Sequence, residues 1–181
     1  MTDTRTHLAH TSQLGPDTLK EVRALLDAAF DGDFSDEDFE HGLGGMHALL
    51  YEGGELVAHG SVVQRRIVHR GRALRTGYVE AVAVRGDRRR QGHGGRVMAA
   101  LEDVIARAYV LGALSASDDG ELLYRSRGWA VWGGRIGTLG PQGPVRLPEE
   151  EGDAYLWVPD GMAVPDPAEP LWFDWRNGDV L

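Results

Sequence analysis

The stretch Tyr78–Tyr109 decides how this chain reads: Y-V-E-A-V-A-V over 78–84, R-G-D-R-R-R-Q-G-H-G-G over 85–95, and R-V-M-A-A-L-E-D-V-I-A-R-A-Y over 96–109. The first segment consists of β-branched and small apolar residues interrupted by one acid, Glu80, and it predicts a central strand. Strict alternation puts Glu80 on the face of Tyr78, Val82 and Val84. A bulge would break that parity, and in either case a carboxylate lies near the interior. In the third segment Val97, Met98, Leu101, Val104, Ile105 and Ala108 recur at helical spacing, with Arg96, Glu102, Asp103 and Arg107 on the other side. This predicts an amphipathic helix lying on a sheet. Between them, Arg85, Arg88, Arg89 and Arg90 precede glycines at 92, 94 and 95. Glycine lets backbone approach a bulky anion, a helix N-terminus points unpaired N–H groups at it, and arginine adds forked donors. The loop therefore offers a pyrophosphate site, although taken alone it is also compatible with an exposed basic turn. A Walker loop needs Lys-Ser or Lys-Thr after its last glycine, where Arg96 and Val97 stand; a dinucleotide fingerprint needs Gly or Ala where Val97 stands.

Composition narrows the class. The 181 residues carry a net charge of −9, no cysteine and no apolar run approaching the roughly 20 residues of a membrane span. Together with a polar start, M-T-D-T-R-T-H, this predicts one soluble cytoplasmic domain over residues 1–181, without a signal peptide. Absence of cysteine excludes disulfides, a thiol nucleophile and Cys-bearing zinc sites. The acidic balance argues against nucleic acid and favours a cationic ligand, and without an apolar span no membrane partner is expected. Seven histidines include no helical H-x-x-x-H pair, so no metal is expected, and Ser61, Ser115 and Ser117 lack the G-x-S-x-G elbow of a serine hydrolase.

Along the chain, residues 5–14 predict an edge strand, and Gly15-Pro16-Asp17 opens a helix with the stripe Leu19, Val22, Leu25, Leu26 and Ala29. Six acids between Asp31 and Glu40 enclose Phe34 and Phe39. They read either as a capped helix start, with Ser35 and Asp38 forming a capping box, or as a pocket for a polyamine. A hairpin follows over Met46–Val68, then a turn at 69–72 and the strand to Val84. After the long helix come a strand at Leu111–Ser115, a helix holding Leu122, Leu123 and Tyr124 that ends at Gly128, and a strand from Trp129. Residues 140–153 read as loop, Ala154–Val158 as a last strand, and Trp172, Phe173 and Trp175 as a tail docked on the core.

Arg89, Gly92 and Gly94 meet the pattern Arg/Gln-x-x-Gly-x-Gly/Ala at a strand-to-helix turn, which resembles the acetyl-CoA loop of the GNAT acyltransferase superfamily. L-Y-x-x-x-G-W over 123–129 resembles a phrase of the same superfamily. The phrases G-D-F at 32–34, E-H-x-L-G-G-M-H-A-L at 40–49, G-Y-V-E-x-V-A-V at 77–84, L-G-A-L-S-x-S at 111–117, Y-x-S-R-G-W at 124–129 and D-W-R-x-G-D-V at 174–180 resemble, in order along the chain, the aminoglycoside 2'-N-acetyltransferases. That resemblance implies the GNAT fold, an α/β (α+β) arrangement. It has a mixed, mostly antiparallel sheet of about six to seven strands flanked by helices, with a splayed central strand pair.

The resemblance also implies acetyl-CoA as acyl donor and transfer to an aminoglycoside amine. It implies Glu80 as a water-linked base and Tyr124 as the group that protonates the departing thiolate. The implied acetyl-CoA contacts are Val82, Ala83, Val84, Arg89, Arg90, Gln91, Gly92, His93 and Gly94. The implied substrate contacts are Asp33, Asp38, Glu80, Ala81, Ser115, Glu149, Glu150, Asp179 and the terminal carboxylate of Leu181. Members of that family end in Trp and carry Asp-rich residues where this chain has Leu181 and P-E-E-E, departures that bear on aminoglycoside preference. Another cationic amine (a polyamine, an amino-sugar thiol or a peptide N-terminus) and a non-catalytic acyl-CoA- or aminoglycoside-binding protein remain open. A homodimer is compatible with the resemblance, but nothing in the residues specifies it.

Overall fold

In the computed structural model, which describes residues 4–117 and 119–181, the chain divides into two compact units. Residues 1–3, at the polar start on which the expectation about a signal peptide rests, lie outside the described residues. One unit takes in the chain up to Val63 and Val79–Val104; the other takes in Gln64–Tyr78 and Ile105–Leu181. Among the described residues no helix is long and apolar enough to cross a membrane.

In the first unit, β1 (Thr4–His10) pairs antiparallel with β2 (Met46–Glu52), which pairs antiparallel with the start of β3 (Glu55–His69). Pro16 at the first helical position and Asp17 in the first turn begin α1 (Pro16–Ala29), and a left-handed Asp31-Gly32 closes it, with Gly32 N–H donating to the Asp27 carbonyl. Val22, Leu25 and Leu26 of the predicted stripe join Leu49 and Ala83 in a buried cluster. The end of β4 (Arg72–Val84) belongs to this unit, as does most of α3 (His93–Ala108). Gly60 on β3 explains how closely α3 lies on the sheet: a Cβ there would sit 2.7 Å from Val97 Cγ1. Glu102, expected on the solvent side of α3, is buried instead, because it follows Met98 by one helical turn and shares its row.

In the second unit the strand order is β6-β9-β5-β4-β3-β10-β7-β8. The strands not yet introduced are β5 (Leu111–Ser115), β6 (Ala130–Val131), β7 (Ile136–Gly140), β8 (Gly143–Arg146), β9 (Ala154–Trp157) and β10 (Leu171–Asp174). Parallel pairing occurs between β4 and β5 and between β10 and β7, while β10–β3, β5–β9, β6–β9 and β7–β8 are antiparallel. The β4–β5 ladder covers only Thr76–Tyr78 with Leu111–Ala113, after which β4 runs on for six residues and β5 keeps β9 alone; this is the expected splayed pair.

The described residues form ten strands where six to seven are expected, the surplus being short segments such as β6 and β8. Residues 143–146, expected in a loop, form β8; their Gly-Pro pair is tolerated on an edge strand. Residues 171–174, expected as a docked tail, insert between β3 and β7, burying Phe173 completely while Trp175 stays 49% exposed. Arg65 fixes this end: buried between the rings of Tyr78 and Phe173, it donates to Asp174 Oδ1, the Asp174 carbonyl and the Val180 carbonyl at 2.8, 2.7 and 2.6 Å.

Candidate active site

In the first unit, β4 delivers Glu80 and then departs from regular strand geometry. Ala81 has φ 52°, a left-handed conformation costing an alanine roughly 1–2 kcal/mol. The predicted alternation is lost with it: Tyr78 and Val79 are buried in succession, and Glu80, Ala81 and Val82 are all half-buried. Two carbonyls at this irregularity are held from β3. Ser61 Oγ donates to the Glu80 carbonyl at 3.4 Å, and His59 Nδ1 lies 2.9 Å from the Ala81 carbonyl.

Beyond Val84, a 3-10 turn at Gly86–Arg88 leads into the glycine loop. Arg90 and Gly92 are both left-handed, with φ 63° and 83°, and the first helical bond of α3 runs from Arg96 N–H to the Gly92 carbonyl. The N–H groups of His93, Gly94 and Gly95 therefore form the unbonded first turn, the feature a pyrophosphate needs. A Cβ at Gly92 would meet nothing within 4 Å, so the space above it is open. The four arginines divide into two kinds. Arg85 is bound to Glu55 and Asp87, and Arg88 to Glu52 and Asp87, all at 2.7 to 3.2 Å, so these two stiffen the turn. Arg89 donates to the Ala29 carbonyl at 3.3 Å and stays exposed together with Arg90 and Gln91. His93 turns inward: its imidazole is 6% exposed with no hydrogen bond to either nitrogen among the described residues, so it offers the loop its backbone N–H.

Both readings of the acidic segment can be checked. The capping box is present, Asp38 N–H donating to Ser35 Oγ at 3.0 Å and Ser35 N–H to Asp38 Oδ2 at 2.9 Å, at the start of α2 (Asp36–His41). Phe34 and Phe39 are not a cage for a foreign cation, because Arg23 sits over both rings at 5.9 and 5.5 Å and also binds Asp27 and Asp36. Asp33 is exposed just before α2. The helix is brought to β4: Phe39 and Ala81 pack on the same buried cluster, and a Cβ on Gly42 would lie 3.9 Å from Ala81 Cβ.

In the second unit, Tyr124 lies on α4 (Glu121–Ser126), with its ring 6.4 Å from Trp129 and 6.3 Å from Tyr155. A Cβ at Gly120 would come within 2.7 Å of the ring, so this seat requires glycine. Burial pushes the Tyr124 hydroxyl up to about 12, which keeps it protonated at neutral pH. Glu149 and Glu150 lie in a 3-10 turn at Pro148–Glu150. Burial, followed by the charges of Asp179, Glu149 and Asp153, raises the Glu150 carboxyl above its ordinary range, with Arg176 opposing. Two expected substrate contacts, Glu149 and Asp179, thus lie close enough to act on a third, Glu150, as does Asp153, which ends the run E-E-E-G-D and was not among the expected contacts. Ser115 ends β5 beside them, the next residue's N–H bonding the Asp153 carbonyl at 2.9 Å. Arg176 donates to the Asp179 carbonyl at 2.7 Å, steadying the last residues before Leu181. No cluster of metal-ligating side chains occurs among the described residues.

The acetyltransferase (GNAT) domain model matches residues 10–132. The chain is 50% identical over 176 residues to an aminoglycoside 2'-N-acetyltransferase of Mycolicibacterium fortuitum, a match covering 96% of this chain and 90% of that protein. Its fold resembles that of a GNAT family N-acetyltransferase of Escherichia coli in complex with CoA, with TM-score 0.62 at 14% identity over 97% of this chain and 89% of that one. A GNAT family acetyltransferase of Brucella melitensis in complex with acetyl-CoA gives TM-score 0.59 at 15% identity over 91% and 94%. Some larger chains share the fold over only 32 to 34% of their own length. The chain belongs to the GNAT acetyltransferases, which use acetyl-CoA, and within them to the family of the aminoglycoside 2'-N-acetyltransferase.

Proposed function

We propose that this enzyme, acting as a single catalytic domain over residues 1–181 in the cytoplasm, acetylates the 2'-amino group of aminoglycosides and thereby confers resistance to them. The observation that carries this reading is the 50% identity, over 96% of the chain, to a relative of that activity. A polycationic substrate suits the second unit: burial and the charges of Asp179, Glu149 and Asp153 hold the Glu150 carboxyl above its ordinary range, and a bound polycation would favour its ionised form.

Acetyl-CoA supplies the activated acetyl group. The left-handed loop at Arg90 and Gly92 and the unbonded N–H groups opening α3 fit its pyrophosphate, with Arg89, Arg90 and Gln91 exposed beside them. The amine binds protonated beside carboxylates, and Glu149, Glu150 and Asp179 with the Leu181 carboxylate are the group that holds it, Ser115 lying on the same unit. It must lose its proton before attacking a carbonyl. Glu80 accepts that proton through water, and the backbone of Val82, Ala83 and Val84 offers N–H groups to the carbonyl oxygen as charge develops, an interaction worth up to ~4 kcal/mol. Tyr124, still a phenol at neutral pH, returns a proton to the thiolate. Attack is direct, because no cysteine is present to carry the acetyl group.

The reading is tested by following thiol release from acetyl-CoA with an aminoglycoside bearing a 2'-amine, its 2'-hydroxyl analogue, and a simple polyamine. Release confined to the first supports it; equal release with the polyamine contradicts it. Tyr124→Phe is expected to lower kcat about tenfold or more while acetyl-CoA affinity stays within about twofold, since the ring still packs on Trp129 and Tyr155. If instead affinity collapses and turnover survives, Tyr124 is a packing residue. Deleting Asp179–Leu181 is expected to raise the aminoglycoside KM about tenfold, roughly 1.4 kcal/mol, with little change for acetyl-CoA. An unchanged KM in a folded deletion variant would leave these residues with only a structural part.

A further inference from the structure

The first unit contains a hydrogen-bonded chain, running inward from an exposed Gly44 through two buried histidines, that the reaction as described does not use. Gly44 N–H donates to Thr11 Oγ1 at 2.8 Å; Thr11 Oγ1 lies 2.8 Å from His47 Nε2; His47 Nδ1 lies 2.9 Å from His59 Nε2; and His59 Nδ1 lies 2.9 Å from the Ala81 carbonyl. Both imidazoles are 1% exposed. Burial lowers His47 to about 4 and His59 to about 3, so both are neutral at working pH.

Neutrality fixes every proton in the chain. A carbonyl oxygen only accepts, so His59 carries its proton on Nδ1 and accepts at Nε2. His47 must then donate from Nδ1 and accept at Nε2, and the hydroxyl of Thr11 must give its one proton to Nε2 at 2.8 Å in preference to the Gly45 carbonyl at 3.3 Å. The run is unidirectional, from a backbone N–H at Gly44 to the carbonyl of Ala81. That carbonyl belongs to the left-handed residue that follows Glu80 directly. A strained alanine persists only where its surroundings over-determine it, and the chain ends on the strained peptide itself. An apolar pair would have packed the interior equally well, so these histidines need a reason beyond filling space.

We propose that His59, oriented by His47 and Thr11, is a positioning residue for acetyl transfer: its Nδ1–H holds the Ala81 carbonyl, and so the left-handed turn of β4 that sets the orientation of Glu80. This rests on the reading of Glu80 as the base. His59 touches neither reactant; it acts through the backbone.

The test uses the full-length enzyme with acetyl-CoA and a 2'-amino aminoglycoside, comparing His59→Leu with His59→Asn. The two replacements are nearly isosteric, and Asn places an N–H donor where Nδ1 was. His59→Leu is expected to lower kcat about tenfold with the aminoglycoside KM within about twofold, while His59→Asn recovers to within about threefold of the parent. In a Glu80→Gln background, His59→Leu should cost less than a further twofold, because the group it orients no longer accepts a proton. A folded His59→Leu enzyme with parental kcat overturns the proposal, as do losses that multiply in the double variant. Should His59→Leu not fold, Thr11→Val replaces it: an approximately threefold fall in kcat, absent in the Glu80→Gln background, supports the chain, and an unchanged kcat overturns it. If Glu80→Gln alone retains parental activity, the assignment of the base fails and the proposal falls with it; if only the His59 and Thr11 variants are without effect, the base stands and the proposal alone fails.

Discussion

Replacing Gly92 and Gly94 together by valine abolishes acetyl-CoA binding in this account, a loss of at least a hundredfold in affinity, or about 2.7 kcal/mol. Gly92 holds φ 83°, where a β-branched residue is a true outlier, and Gly94 lies in the unbonded first turn of α3. Since a Cβ at Gly92 meets no protein atom within 4 Å, steric conflict arises with the incoming anion and not with the core. Local backbone strain remains, roughly 1–3 kcal/mol, and the fold should tolerate it. Calorimetry on a variant with parental circular dichroism decides the matter: normal affinity would remove the pyrophosphate from this loop.

Glu80→Gln is expected to lower kcat about 10-fold to 100-fold at neutral pH, with the deficit shrinking as pH rises. Glutamine is nearly isosteric and keeps the half-buried position on β4, so the change isolates proton acceptance. The sign follows from the substrate. At low pH the amine is charged and an acceptor is needed; at high pH it arrives neutral and the variant approaches the parent. A pH–rate profile in which the two enzymes run parallel would contradict the role.

How much of this was legible in the sequence depended on whether the cause was local. The strand, loop and helix of 78–109 could be read because each is encoded by its own neighbours: an apolar run, glycines at 92, 94 and 95, and a helical stripe. The capping box of Ser35 and Asp38 and the Pro16 helix start are local in the same sense. Strand β10 was not legible, because L-W-F-D becomes a strand only when Ile67 and Ile136, remote in sequence, supply its partners. The left-handed Ala81 has no mark in V-E-A-V; its holder, His59, stands 22 residues away. Among the site residues, Arg85 and Arg88 looked identical to Arg89 and Arg90 until Glu52 and Glu55 were seen to claim them. The grouping of Glu149, Glu150, Asp153 and Asp179 likewise depends on where the chain end returns, which Arg65 and Arg176 help determine through Val180 and Asp179.

In the proposed reaction the acetyl group is delivered to one particular nitrogen. The most direct measurement is to take the product formed from acetyl-CoA and an aminoglycoside bearing several amines and to locate the new amide by two-dimensional NMR. A single mono-acetylated product is expected, with the acetyl carbonyl coupled to the 2' position. Acetylation at another amine, or a mixture spread over several, would contradict it.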